Sequence, residues 1–261
     1  MKSKKIINHI REWLIKYCEN SNQNGFIIGI SGGIDSALTS TLCALTGKKV
    51  LLLSMPIRQK PEEYQRALKH IENIKNKYNN CIYLDINLTE VFEKFEKTIP
   101  SDTLENKLSM ANSRSRIRMT TLYAIGQTYG LLVAGTGNKI EDFGVGFYTK
   151  YGDGGVDISP IADLNKTQVS YLAKELNIIE EIISAEPTDG LWDEDGRNDE
   201  NQIGATYPEL EWAMRYIEEE SNFKLDNRQK EVLDIYTRLN KQNKHKMVPI
   251  PVCKIPSEYL N

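Results

Sequence analysis

The chain has 261 residues with 33 Lys+Arg against 36 Asp+Glu, a formal charge of −3, and 40% of its residues are hydrophobic. At this length a core buries roughly three quarters of the unfolded chain's surface without a disulfide or metal staple. The weak acidity argues against nucleic acid as a partner, because such binding leans on clustered positive charge. No segment approaches the roughly 20 apolar residues that span a bilayer, and charges interrupt the apolar stretch of the basic N-terminus, so neither a membrane anchor nor a signal peptide is expected. Cys18, Cys43, Cys81 and Cys253 lie far apart in sequence, with no C-x-x-C pair, which points to a reducing, cytoplasmic compartment.

Ile6, Ile7, Ile10, Trp13, Leu14 and Tyr17 recur at helical spacing, predicting an amphipathic helix that packs on the body. The apolar run Phe26 to Ile30 reads as a buried parallel strand, followed by a helix from about Ser36 to Thr46 that Gly47 stops in a left-handed cap. Val50 to Leu53 is a second strand, Pro61 to about Tyr78 a polar helix, and Cys81 to Ile86 a third strand. Leu104 to Tyr129 reads as one long helical region holding Arg114, Arg116 and Arg118, which cannot all face one side. It feeds a fourth strand, Leu131 to Ala134.

Past a glycine-rich stretch, helices are expected at Lys166 to Leu176, Tyr207 to Glu219 and Asp226 to Asn240, ahead of a Lys-rich tail. Residues 193–200 are polar and turn-rich, read as a mobile loop that orders over bound nucleotide. His9 and His70 fall on polar helix surfaces with no assigned role. Alternating strands and helices predict a single-domain α/β fold, a doubly wound parallel sheet flanked by helices on both faces, with ligands at the carboxyl ends of the strands.

Between the first strand and its helix stands Gly29-Ile30-Ser31-Gly32-Gly33-Ile34-Asp35-Ser36. Gly32 and Gly33 permit positive φ and let backbone N–H groups approach an anion, and the following helix aims its positive end at the same point. Ser31 and Ser36 add hydroxyl donors. The loop has neither the Lys of G-x-x-x-x-G-K-[ST] nor the spacing of G-x-G-x-x-G; it carries Asp35 instead. A carboxylate beside a polyphosphate implies an intervening hard cation such as Mg²⁺. The plain alternative is a glycine turn with Asp35 as an ordinary N-cap.

A second block, Gly135 to Asp157, starts where the fourth strand ends. It offers the Thr136 hydroxyl, carboxylates at Glu141 and Asp142, the Lys150 charge, and a Gly152-Asp153-Gly154-Gly155 turn open to close approach. A loop this long without secondary structure is uncommon unless functional. Lys166 opens a helix where the dipole does not favour a cation, so a phosphate partner would explain it.

The Ser31-to-Ser36 loop resembles the signature of the ATP pyrophosphatases (PP-loop, N-type), and the Thr149-to-Asp157 stretch resembles NAD⁺ synthetase. That resemblance implies an ATP-dependent ligase that amidates deamido-NAD with ammonia through an adenylate, releasing AMP and pyrophosphate. It places the ATP contacts on Gly29, Ile30, Ser31, Gly32, Gly33, Ile34, Asp35, Ser36, Thr136, Lys166 and Thr188. It places deamido-NAD contacts on Arg116, Lys150, Asp157, His245 and Lys246, and Mg²⁺ on Asp35 and Glu141, with Asp142 adjacent. Asp35, Lys166 and Asp157 are the implied catalytic residues, Asp157 binding substrate or attracting ammonium.

Glutamine-dependent members carry an amidohydrolase domain before the synthetase part. Here the loop begins at residue 29, so free ammonia is the expected donor. The family is typically a homodimer. Other PP-loop adenylating enzymes and a silent nucleotide-binding protein are the competing readings.

Overall fold

The computed structural model describes residues 1–188, 190–192, 198–221 and 223–260. Strands β1 (Gly25–Gly29), β2 (Lys49–Ser54), β3 (Cys81–Asp85) and β4 (Leu131–Val133) form one all-parallel sheet in the order β3-β2-β1-β4. Helices α1 (Ser3–Asn20), α2 (Ile34–Ala44), α3 (Pro61–Lys77), α4 (Thr89–Glu96), α5 (Ser101–Glu105) and α6 (Lys107–Tyr129) occur in the first half. The second half holds α7 (Lys166–Glu175), α8 (Glu180–Ile183), α9 (Asp199–Ile203), α10 (Tyr207–Glu218) and α11 (Asn227–Met247).

Successive strand residues point to opposite faces, and both faces are covered. Phe26, Ile28, Val50, Leu52 and Leu132 pack with α1, α2, α3 and α7. Their neighbours Ile27, Leu51, Leu53, Leu131 and Val133 pack with Phe92 of α4 and Met110 of α6. This is why the strands read as continuous apolar runs, and it is the doubly wound arrangement the pattern predicts. A third cluster joins Leu210, Ala213 and Met214 of α10 to Val232 and Tyr236 of α11 and to Ile140 and Val145.

After β1 the chain builds toward β2 and β3, then returns to place β4 on the other side of β1. The carboxyl ends of β1 and β4 therefore flank the switch point, where open α/β sheets form their ligand crevice. Residues 30–33 and 134–137 both emerge there.

The structure redraws several expected elements. Helix α2 begins at Ile34, with Gly33 as its N-cap, so Asp35 lies in the first turn and is not a cap. The long helical region is divided: the Asn106 side chain accepts the Ser109 N–H and starts α6 afresh, and Gly130 at φ 62° closes it. The glycine-rich stretch contains a π-helical turn, Ile140–Val145. The expected Lys-rich tail is largely the last turns of α11. Residues 193–197 of the expected mobile loop lie outside the described residues, whereas Asp199 and Glu200 open α9. His70 is not on a surface: it is 1% exposed, between α2 and α3. All four cysteines are free, with Cys18, Cys43 and Cys81 buried. Among the described residues no helix is long and apolar enough to cross a membrane.

Candidate active site

A cavity of about 520 Å³ opens at the switch point, within the size range of small-ligand sites. Gly29, Ile30, Ser31, Gly33, Ile34, Asp35 and Ser36 line it, together with Thr136, Glu141, Lys166 and Thr188. The structure thus gathers the expected ATP set around one space, with Gly32 turned away from it.

The loop holds its own shape. The Ser36 hydroxyl donates to the Gly33 carbonyl at 2.9 Å and accepts the Ser31 N–H at 3.3 Å, while Ser31 Oγ accepts the Gly33 N–H at 3.2 Å. The Ser36 hydroxyl is therefore spent inside the loop rather than offered outward. Only Gly32 uses positive φ, at 84°; Gly33 sits at −91°. A Cβ on Gly32 would lie 2.6 Å from the Glu63 carbonyl, so the turn is packed directly on the start of α3.

Lys166 reaches across from the first turn of α7. Its Nζ donates to Asp35 Oδ2 at 2.5 Å and to Glu141 Oε1 at 3.0 Å, and it stands 4.8 Å from the centre of the Tyr207 ring. Both of these partners are carboxylates, which also account for a lysine at a helix N-terminus. Burial opposes its charge, but the two acids outweigh that and hold the ammonium above its ordinary range. Burial raises Asp35, with Lys166 only partly offsetting it. Burial acts the same way on Glu141, yet Lys166 and the Tyr207 hydroxyl, at 2.6 Å, bring it below its usual range.

Asn138, fully buried, ties the two acids together: its Nδ2 donates to Asp35 Oδ1 at 3.2 Å and its Oδ1 accepts the Glu141 N–H at 3.1 Å. Sequence reasoning missed Asn138 and Tyr207 as site residues. A buried amide and a phenol carry no spacing signal, and Tyr207 arrives from α10, far along the chain.

Asp142 faces the same cavity, and its carboxylate packs against Gly137, leaving no room there for a Cβ. Burial and then the neighbouring charge of Glu141 push it well above the usual carboxylate range. Glu141, not Asp142, shares the Lys166 nitrogen with Asp35. Two hard oxygen donors at one point suit Mg²⁺, which is held by one or two carboxylates plus phosphate oxygens and water. Among the described residues no group of three or more His, Cys, Asp or Glu is placed to hold a metal ion.

The expected dinucleotide set lies beyond the cavity, along the edge where α6, residues 145–151 and α11 meet. Arg116 is exposed and reaches the Lys150 carbonyl at 3.4 Å. Lys150 Nζ donates to the His245 carbonyl at 2.7 Å, and Lys246 Nζ to the carbonyls of Gly146 and Tyr148 at 2.8 and 2.9 Å. His245 is in the last turn of α11, not in a solvated tail. Asp157 is also outside the cavity lining; its oxygens accept the Val133 N–H at 2.8 Å and the Tyr123 hydroxyl at 3.1 Å.

The glycine turn approaches protein rather than open space. A Cβ on Gly152 would meet Ser115 Oγ at 2.4 Å, and Asp153 accepts the Ser115 hydroxyl at 2.7 Å and the Thr149 N–H at 3.0 Å. Of the three arginines, Arg114 is buried with its guanidinium 4.8 Å from the Phe92 ring. Arg118 donates to the Met55 carbonyl and to Gln59 Oε1, both at 3.0 Å. Thr188 donates to Glu63 Oε1 at 3.2 Å, joining the far wall of the cavity to α3.

A parallel α/β sheet with a lysine-free glycine loop and a carboxylate pair at its switch point defines a Rossmann-like nucleotide-binding protein of the PP-loop type. The model of the NAD synthase family matches residues 6–249. The chain belongs to that family. An NH(3)-dependent NAD(+) synthetase from Methanocaldococcus jannaschii is 38% identical over 258 residues, 96% of each chain. One from Carboxydothermus hydrogenoformans is 35% identical over 248 residues, covering 94% of this chain and 93% of its own. Among solved structures, an NMN synthetase from Francisella tularensis superposes with a TM-score of 0.85 at 29% identity, covering 98% of this chain and 100% of its own. An NH3-dependent NAD synthetase from Campylobacter jejuni, in complex with nitrate, gives 0.79 at 27% identity, covering 97% of this chain and 100% of its own.

Proposed function

We propose that residues 1–261 act as one synthetase domain that converts the nicotinate carboxylate of deamido-NAD to the carboxamide, using ATP and ammonia. The observation that carries this reading is the carboxylate pair Asp35–Glu141 closed on Lys166 beside the glycine loop. A carboxylate oxygen of the substrate attacks the α-phosphorus of ATP, forming a P–O bond while pyrophosphate departs. Ammonia then attacks the carbonyl carbon of the acyl adenylate, forming the C–N bond and releasing AMP and a proton. Activation is needed because a free carboxylate would have to expel oxide.

The N–H groups of Ile34, Asp35 and Ser36 at the start of α2 are the donors left to phosphate oxygens, and Lys166 lies within reach of the developing charge. Asp35 and Glu141 would hold Mg²⁺, which when bound neutralises charge on the departing pyrophosphate. Thr136 and Thr188 border the same ATP space. No nucleophilic side chain is required, so rate enhancement rests on positioning and electrostatics.

Arg116, Lys150, His245 and Lys246 are assigned to deamido-NAD by family likeness, supported by their grouping along one edge. Their present bonds are to backbone carbonyls, which a phosphate would have to replace. Asp157, with both oxygens already engaged by the Val133 N–H and the Tyr123 hydroxyl, fits a positioning role at the end of β4 better than binding substrate or attracting ammonium.

The likeness to the NMN synthetase supports a second reading, in which the acid substrate is the mononucleotide. Steady-state amide formation with ATP, Mg²⁺ and ammonium separates the two. The dinucleotide is expected to be preferred in kcat/KM by at least about tenfold. The opposite preference selects the mononucleotide, and absence of amide from either acid overturns both.

A further inference from the structure

Three cations line the cavity among its described residues: Lys166, Arg118 and Arg66. Two are engaged, Lys166 by Asp35 and Glu141 and Arg118 by the Met55 carbonyl and Gln59. Arg66 differs. It projects from the second turn of α3, and its Nε is buried with no hydrogen-bond partner. Native structures rarely leave a buried donor unmatched, and an exception points to a missing acceptor.

Its position supplies the identity of that acceptor. Gly32 packs on α3 so closely that a Cβ there would sit 3.5 Å from Arg66 Cβ. Arg66 thus flanks the glycine loop on the α3 side, whereas Lys166 from α7 and Glu141 from the π-helical turn after β4 meet Asp35 at the start of α2. Most of the other ionisable side chains around the cavity are acids, including Glu63, Asp142 and Asp153. A polyanion entering such a space needs an uncommitted cation, and a guanidinium presents a planar donor fork that matches phosphate oxygens.

We propose that Arg66 binds the β- and γ-phosphates of ATP and retains them as pyrophosphate leaves. It is a binding residue for the leaving group, on the flank of the loop opposite Lys166. This rests on the ATP-cleaving reading above. The α-phosphate is left to the loop amides and the Lys166 side, where the acid substrate attacks, so AMP does not use Arg66.

The test is calorimetric binding of pyrophosphate and, separately, of AMP to the full chain in Mg²⁺ buffer, comparing wild type with Arg66→Met and Arg66→Lys. Pyrophosphate affinity is expected to fall at least about tenfold in Arg66→Met and less in Arg66→Lys, which keeps the charge but not the fork. AMP affinity is expected to stay within about twofold of wild type. Unchanged pyrophosphate affinity in Arg66→Met overturns the proposal. So does a parallel loss of AMP affinity, which would mean general damage to the pocket. If Arg66→Met does not fold, the same comparison on Arg66→Lys and Arg66→Gln decides it. Wild-type turnover with ATP, Mg²⁺, ammonium and either acid substrate is run alongside: failure with both acids defeats the ATP-cleaving reading itself, whereas intact turnover with unaltered pyrophosphate binding in the variants defeats only the role of Arg66.

Discussion

Asp35 was placed by its company in the sequence, since a carboxylate next to a phosphate-binding glycine turn requires a cation. The cation expected there was Mg²⁺; the charge the structure sets beside Asp35 is Lys166, 2.5 Å away, with Glu141 on the same nitrogen. Asp35→Asn keeps the shape, and Glu141 still pairs with Lys166, but one of two charges facing the shared position is lost. Amide-forming kcat/KM is expected to drop at least about 100-fold, ~3 kcal/mol of transition-state stabilisation, with the melting temperature little changed. The glycines make a sharper comparison. Both looked equivalent in sequence, but only Gly32 needs positive φ and contact with the Glu63 carbonyl. Gly32→Ala is expected to cost about 2 kcal/mol or more in denaturant unfolding and to raise KM for ATP. Gly33→Ala, where the nearest atom is Ser31 Oγ at 3.3 Å, is expected to cost less than half as much. Asn138, Tyr207 and Arg66 were illegible because their meaning lies in contacts between distant segments.

Between elements, α3 backs the phosphate loop and α2 continues it, so their mutual register sets the shape of the site. His70 of α3 and Ser40 of α2 hold that register through a buried bond of 3.0 Å. Sequence periodicity put His70 on a polar surface because its flanks, Lys69 and Glu72, are charged; tertiary packing put it inside. Burial pulls its pKa from 6.5 down to about 4, so the folded protein keeps the ring neutral. The unfolded chain then binds more protons between those values. Stability is present above about pH 6.5 and is lost as pH falls toward 4, by up to ~3 kcal/mol. Urea unfolding of wild type and His70→Gln at pH 7 and pH 4.5 checks this: the variant is expected to show a smaller loss on acidification.

Helix boundaries were otherwise legible wherever an apolar face or a glycine stop marked them, as for α7 and α10. They were missed where a cap did the work, as at Asn106, and where a basic sequence masked continued helix, as in the last turns of α11.

Across the whole molecule the parallel sheet was legible because β1, β2 and β4 are buried on both faces and read as apolar runs, whereas edge strand β3 leaves Ile82 exposed. The switch point followed from strand order, which sequence alone did not state. β4 returns beside β1 and brings Thr136, Asn138 and Glu141 to the phosphate loop. The third cluster, built from α10, α11 and the π-helical turn, was not anticipated, and it is what carries Tyr207 into the site and closes His245 and Lys246 onto residues 146–150. Trp212 packs against that cluster, whereas Trp13 is 39% exposed beside Tyr17 on α1.

In the proposed reaction a pyridine carboxylate attacks the innermost phosphorus of ATP at the Asp35–Glu141–Lys166 cluster. This attack is tested most directly by turnover of deamido-NAD labelled with ¹⁸O in its carboxylate, in the presence of ATP, Mg²⁺ and ammonium, with mass analysis of the products. One labelled oxygen is expected in AMP and none in pyrophosphate. Unlabelled AMP, or ADP as the spent nucleotide, would contradict it.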